Sequence, residues 1–164
     1  MGYRCRDSLH PREPGGIETE PLVASIARIS EHVPAGAELG LHLCYGDPGH
    51  KHVIEPKDTK LMVEFTNQLV SAIKHPIAWV HMPVPRERED VAYFAPLKGL
   101  KLNPGTELYL GLVHRTDGLA GAQRRLAAAK EVVTDFGIAT ECGFGRRSPA
   151  VVRELLALHK AALS

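Results

Sequence analysis

Histidine and cysteine side chains occur in this sequence at spacings that suit metal binding. His42 and Cys44 are separated by one residue in the segment LHLCYGD, and Cys142 lies in the segment TECGFGRR. Side chains two positions apart on a strand point to the same face, so an imidazole and a thiol could reach one cation. Two thiolates and one imidazole suit zinc, which would keep its fourth position for a weak ligand, water or substrate. A hydrogen-bonded histidine and an inert buried cysteine explain the H-x-C spacing equally well.

Two further histidines are candidates for the same site. His81 lies in the apolar run PIAWVHM and is followed by P-V-P, so it is either a metal ligand or substrate contact, or a hydrogen-bonded core residue. His114, in LVHRTDG, occupies a position where a proton donor or acceptor would be useful, although a loop hydrogen bond is the alternative. Glu141 could hydrogen-bond to a metal ligand and orient it without binding the metal itself, or it could face outward.

The periodicity of apolar residues predicts five helices. We expect them over residues 21–33, 59–74, near 89–97, over 119–134, and from 149 onward. The inward stripe of the first helix is expected to contain Leu22, Ile26, Ile29 and Val33. Asp58 is the expected N-cap of the second helix. Ser148 is the expected N-cap of the last, with Pro149 at its first position.

Four strands alternate with these helices. They are predicted over residues 38–45, 76–82, 107–113 and 137–141. An α-β-α-β-α-β-α-β-α order predicts a parallel sheet covered by helices. Two architectures fit this order: an open doubly wound sheet, or part of a (β/α)8 barrel. A complete barrel takes about 250 residues and eight strands, so 164 residues with four strands would form roughly half of one.

The candidate residues all fall where a predicted strand ends. His42 and Cys44 end the first strand, His81 ends the second, His114 follows the third, and Cys142 follows the fourth. The carboxyl ends of parallel strands share one edge of the sheet, and that edge carries the active site in α/β proteins. We therefore expect these five side chains to converge.

Composition limits the classes of protein that the chain can belong to. Its 44% hydrophobic and 24% charged residues are ordinary for a soluble globular domain, and the net charge is +1. No basic block suggests a nucleic acid partner, and no apolar run approaches the roughly 20 residues of a membrane span. The polar beginning lacks the apolar core of a signal peptide, so we expect a cytoplasmic protein. Residues 1–20 are expected to form a flexible or truncated segment, and residues 21–164 the folded domain.

Three motifs together resemble one enzyme family. The segment LHLCYGD resembles the zinc-ligand segment of cobalamin-independent methionine synthase, and TECGFGRR resembles that family's late D-C-G-L motif. The segment LVHRTDG resembles its strand-end histidine segment, and the three motifs occur in the same order. The resemblance covers roughly residues 20–162. It implies the second half of a TIM-type (β/α)8 barrel, the C-terminal catalytic domain of a superfamily that includes uroporphyrinogen decarboxylase.

The resemblance also implies a chemistry. It makes His42, Cys44 and Cys142 zinc ligands and His114 the proton donor. His81 stands where the family has a glutamate ligand, so the site would contain two histidines and two cysteines. In these enzymes zinc binds a small-molecule thiol as its thiolate, the thiolate attacks the methyl group of a donor, and a histidine protonates the leaving group.

Three functions are consistent with these observations. The first is a zinc-dependent methyltransferase-type enzyme that activates a thiol acceptor, in a truncated form that lacks the first half of the barrel. The second is a member of the superfamily that does not transfer methyl groups, against which the H-x-C pair argues. The third is an inactive half-barrel that forms a homodimer, because four parallel strands alone expose unpaired edges.

Overall fold

A four-stranded parallel sheet organises the part of the chain that the computed structural model describes, which is residues 19–46, 55–145 and 147–164. The strands are β1 (Leu39–His42), β2 (Ile77–Pro83), β3 (Glu107–Val113) and β4 (Gly137–Thr140). The helices are α1 (Glu20–Ser30), α2 (Lys60–Ala72), α3 (Val91–Phe94), α4 (Gly118–Lys130) and α5 (Pro149–Ala162), and a 3₁₀-helix follows α3 over Ala95–Gly99. The predicted alternation of helices and strands is confirmed.

The strands lie in the sheet in the order in which they occur in the chain. Each of β1, β2 and β3 pairs in parallel with the strand that follows it. A doubly wound sheet requires a point where the strand order reverses, and the described strands contain no such reversal. Successive right-handed crossovers without a reversal place their helices on one side of the sheet. The doubly wound alternative is therefore not what these four strands form.

One face of the sheet supplies the hydrophobic core. The β2 residues Val80 and Met82 and the β3 residues Leu110 and Leu112 are almost completely buried. Helices α2 and α4 cover this face, with Leu69 of α2 fully packed in the same cluster. Burial of these side chains stabilises the contact between sheet and helices by roughly 1.5–3 kcal/mol for each large apolar residue.

The opposite face carries the side chains that alternate with this core. Residues His42, His81, Tyr109 and Gly137 form one row across the four strands. Glycine is required in this row, because a Cβ atom at Gly137 would lie 2.3 Å from the Tyr109 ring. Gly40 is similar, since its Cβ would lie 2.0 Å from the Trp79 ring. The two aromatic rings therefore lie flat across glycine positions of the neighbouring strands.

Several predicted boundaries differ from the structure. The first strand ends at His42 rather than at residue 45, so Cys44 lies in the following loop. In α1 the inward residues are Val23 and Ser30, whereas Leu22 and Ile29 of the predicted stripe are 51% and 66% exposed.

One of the two predicted helix N-caps is confirmed. The prediction for α2 was wrong, because Thr59 and not Asp58 occupies its N-cap position. The carboxylate of Asp58 accepts a hydrogen bond from the backbone N–H of Lys60, the first residue of the helix. The prediction for the last helix is confirmed: Ser148 is its N-cap, its hydroxyl accepts from the N–H of Val151, and Pro149 begins the helix. None of the helices described here has the length and apolar character needed to cross a membrane.

Candidate metal centre

Three of the predicted ligands meet at the carboxyl edge of the sheet. The donor atoms of His42, Cys44 and Cys142 all lie within 4.8 Å of one another. Nε2 of His42 and Sγ of Cys142 are 3.8 Å apart, although the two residues are 100 positions apart in the chain. The predicted convergence of these three residues is confirmed, and the group could hold a metal ion.

This contact joins opposite edges of the sheet. His42 ends β1 and Cys142 follows β4, and two other strands lie between them. Strands in a flat sheet are about 4.8 Å apart, so three such spacings would separate the edges by about 14 Å. The 3.8 Å contact therefore requires the end of β4 and the loop after it to bend toward β1. They do so over the face of the sheet opposite α2 and α4, which we call the exposed face.

A glycine in β3 allows the chain to curl in this way. A Cβ atom at Gly111 would lie 2.8 Å from Cα of Glu141 and 3.0 Å from the carbonyl oxygen of Thr140. The β3–β4 register also shifts between Leu110 and Val113, as at a β-bulge, which bends a strand and increases its twist. The missing side chain thus lets the backbone after β4 cross directly over β3.

The backbone at the end of β4 also contacts a histidine of β2, the next strand after β3. Nε2 of His81 lies 3.0 Å from the carbonyl oxygen of Thr140, and Nδ1 of His81 lies 2.8 Å from Nδ1 of His42. Both ring nitrogens of His81 are therefore hydrogen-bonded, and His81 does not belong to the group of three donor atoms. Its role as a fourth metal ligand, expected from the resemblance, stays a prediction. The contacts favour a role in orienting His42.

Burial keeps His81 neutral and favours the neutral form of His42. His81 is only 7% exposed, and this burial, assisted by the neighbouring His42, lowers its pKa to about 4. Partial burial of the ring also lowers the pKa of His42. A neutral imidazole is the form that binds a metal ion, so the lowered pKa of His42 favours metal binding.

Thr140 was not identified from the sequence. Its carbonyl oxygen accepts from His81, and its hydroxyl donates to the carbonyl oxygen of Cys142 at 2.6 Å. The only sequence indication is its position at the end of β4, two residues before Cys142. This residue connects the histidine of β2 to the turn that carries Cys142, one of the three candidate ligands.

His114 follows β3 as predicted, but it does not belong to the group of three donor atoms, and its ring nitrogens contact other residues. Its Nε2 lies 2.8 Å from the carbonyl oxygen of Val84, to which it donates, and its Nδ1 lies 3.6 Å from a carboxylate oxygen of Glu141. Burial and the nearby Arg125 guanidinium lower the pKa of His114 to about 4. The ring is therefore neutral at pH 7, and its role as a proton donor stays a prediction.

A cleft of about 440 Å³ adjoins the three donor atoms on the exposed face of the sheet. Its walls include Trp79, Tyr109 and Ala139, and His42 and Cys142 also line it. Cys44 is exposed to solvent. A small molecule with an apolar portion could therefore contact the aromatic rings while its polar end reached the donor atoms.

The sequence matches no model of a known protein family and no curated protein. The geometry of this site and its chemistry therefore carry the functional argument.

Proposed function

We propose that this protein is a zinc enzyme that activates a small-molecule thiol. The convergence of His42, Cys44 and Cys142 within 4.8 Å is the observation that carries the proposal. Three protein ligands and one open position are typical of catalytic zinc sites, whereas structural zinc sites use four protein ligands.

The separation of two donor atoms is close to that in a tetrahedral zinc site. A Zn–S bond of about 2.3 Å and a Zn–N bond of about 2.0 Å at a tetrahedral angle would place the sulfur and nitrogen about 3.5 Å apart. The observed separation between Sγ of Cys142 and Nε2 of His42 is 3.8 Å. Small side-chain rotations would close the remaining difference, and the exposed Cys44 thiol is accessible to an entering ion.

Zinc in this site would supply the acidity that converts a bound thiol, whose ordinary pKa is near 8.5, into a thiolate at neutral pH. His42, Cys44 and Cys142 would hold the ion. The Trp79 and Tyr109 rings would contact the apolar part of the substrate along the cleft. The two cysteine thiolates balance the charge of the ion, so the site as a whole would be close to neutral.

The sequence motifs favour methyl transfer as the reaction. A sulfur–methyl bond would form, the bond between the methyl group and its donor would break, and the leaving group would take a proton. His114 is the residue that the resemblance suggests for this proton. In its present contacts the ring holds one proton on Nε2 toward Val84, so protonation of the leaving group would require His114 to take up a second proton.

We propose that the fold is the second half of a TIM-type barrel. The sequential order of four parallel strands and the curl of β4 toward β1 support this proposal. Among the described strands, β1 and β4 each pair with one neighbour only. Two copies would bring together eight strands, the number in a complete barrel, so a homodimer is the second part of this proposal.

Cobalt substitution tests the thiol-activating function. Co²⁺ in a site with two thiolates gives a sulfur-to-metal absorption band, and a further thiolate at the open position should strengthen and shift this band. We expect a small alkyl thiol to produce this change, whereas the corresponding alcohol should not. The C142S variant is the control and should lose most of the band. A wild-type spectrum that does not respond to the thiol would count against the proposal.

A further inference from the structure

The ligands His42 and Cys142 are joined by a chain of hydrogen bonds that passes through two other residues. His42 meets His81 through Nδ1 of each ring, at 2.8 Å. Nε2 of His81 meets the carbonyl oxygen of Thr140 at 3.0 Å, and the hydroxyl of Thr140 donates to the carbonyl oxygen of Cys142 at 2.6 Å. The chain returns to the metal group, because Sγ of Cys142 lies 3.8 Å from Nε2 of His42.

The two histidine rings meet edge to edge. Their planes differ by 17° and their centroids are 4.8 Å apart. Rings stacked face to face are separated by about 3.5 Å, which is longer than the 2.8 Å between the two Nδ1 atoms. The nitrogens therefore face each other close to the ring planes, where a hydrogen bond forms best.

The fixed polarity of a carbonyl group determines where the protons lie. The carbonyl oxygen of Thr140 can only accept, so Nε2 of His81 carries a proton and donates it. A neutral His81 then has an unprotonated Nδ1, which accepts. His42 must donate from its own Nδ1, and its Nε2 is left unprotonated. That Nε2 atom is the one near Cys142.

We propose that His81 is a positioning residue that fixes His42 in the tautomer required for metal binding. This inference rests on the proposed metal site and assigns His81 a role other than that of a ligand. A hydrogen bond from the second ring nitrogen of a metal-binding histidine commonly fixes its tautomer and orientation. Here the acceptor is a second histidine, and the backbone at Thr140 sets the direction of that second ring.

The opposite arrangement would require a buried cation. If His42 accepted at Nδ1, His81 would need protons on both nitrogens. It would then be an imidazolium at a position only 7% exposed. Burying an ionised group costs several kcal/mol unless it is paired. In that arrangement a neutral His42 would carry its proton on Nε2, where it would block metal binding.

A pair of variants separates this role from the alternatives. In His81→Asn the side-chain oxygen takes approximately the place of Nδ1 and can accept from His42. His81→Leu has nearly the same size but cannot accept. Thermal unfolding of both variants controls for loss of the fold. The asparagine variant keeps the test decisive if the leucine variant does not fold.

The tautomer is measured first, in the metal-free protein, by ¹⁵N NMR of the histidine rings. We expect the His42 proton on Nδ1 in the wild type and in His81→Asn. In His81→Leu we expect a mixture of tautomers. A wild-type His42 protonated on Nε2 would overturn the inference, without need of any metal.

Zinc affinity is measured second, by competition with a chromophoric chelator. We expect a loss of about 10–100-fold in His81→Leu and a much smaller loss, about threefold, in His81→Asn. Equal losses in the two variants would overturn the inference and would favour His81 as a direct ligand. Absence of zinc binding by the wild type would refute the proposed function. A metal-binding wild type with the wrong His42 tautomer would refute this inference alone.

Discussion

At the scale of single residues, the site depends on neutral histidines held by fixed hydrogen-bond partners. His42 and His81 contact each other, and His114 is separately hydrogen-bonded to Val84, the residue after β2. The residues capable of chemistry could be found from the sequence, because each follows or ends a strand and parallel strands share an edge. The hydrogen-bond partners of the three histidines could not be predicted. They depend on the positions of backbone carbonyl groups, such as that of Thr140, which the sequence does not reveal.

His114 makes the stability of the protein sensitive to acid. Its folded-state pKa is about 4, because of burial and the Arg125 guanidinium, against an ordinary value of 6.5. Asp117 and the hydrogen bond to Val84 oppose this shift, and Arg86 adds to it. As the pH falls, His114 therefore binds a proton at a higher pH in the unfolded chain than in the folded protein. The contribution of neutral His114 is fully present above pH 6.5 and is lost between pH 6.5 and 4.

Urea unfolding at several pH values measures this effect. The loss in free energy of unfolding attributable to His114 should reach about 3 kcal/mol near pH 4. His114→Gln is the matched control, since its amide can still donate to the carbonyl of Val84 but does not titrate. This variant should lose less stability than the wild type over the same interval. Parallel curves for the two proteins would show that His114 is not the group responsible.

At the scale of elements, short strands and their ends decide the geometry of the site. Gly111 and the β3–β4 bulge bring Thr140 over β3, and the aromatic rings of Trp79 and Tyr109 cover glycines on the outer strands. These features were not predictable from periodicity, because a glycine inside a strand indicates only that some group approaches closely.

The error in α1 has a related cause. Val23, Ile26, Ala27 and Ser30 lie on one helical face, and so do the predicted Leu22, Ile26, Ile29 and Val33, because both sets fit a period of 3.6 residues. Helix α1 packs against α2. Small residues on this side allow the two helices to approach, and the contact selects the less hydrophobic stripe. Periodicity identified the helix but not the face that it buries.

Gly111→Ala tests the role of the β3 glycine. The new methyl group would lie 2.8 Å from Cα of Glu141, so the backbone after β4 should move away from β3. We expect the hydrogen bond between His81 and Thr140 to lengthen, stability to fall by about 1–3 kcal/mol, and zinc affinity to fall at least tenfold. Melting temperature and zinc competition are the measurements.

Gly36→Ala is the control for this variant, because a Cβ atom at Gly36 meets nothing within 4 Å. It should leave zinc affinity unchanged. Wild-type zinc affinity in Gly111→Ala would show that the approach of Thr140 to His81 is unimportant for the metal centre.

At the scale of the whole molecule, the two faces of the parallel sheet differ. Parallel sheets are normally covered on both faces, yet among the described residues the helices cover one face and the Trp79 and Tyr109 rings lie on the other. The α/β class and the parallel sheet could be predicted from alternating patterns. The choice between a doubly wound sheet and consecutive βα units could not, because both begin from the same order of elements.

Association of two copies would cover this face and both edges. Sedimentation velocity over a range of concentrations should show a species of twice the mass of one chain. Trp79→Glu, which places a carboxylate on the exposed face, should shift the equilibrium toward the monomer. Leu163→Glu changes a residue that is 72% exposed in the last turn of the chain and should have no effect. A wild-type protein that stays monomeric at all concentrations would exclude the dimer.

The central claim is that His42, Cys44 and Cys142 bind zinc, and direct metal analysis tests it most simply. Protein purified without chelators and then dialysed against zinc should contain about one equivalent per chain by mass spectrometry of the metal. The C44S and C142S variants should lose this zinc. C5S, which changes the third cysteine of the sequence, is the control and should retain it. A wild-type protein without zinc, or zinc binding that survives in both C44S and C142S, would contradict the account.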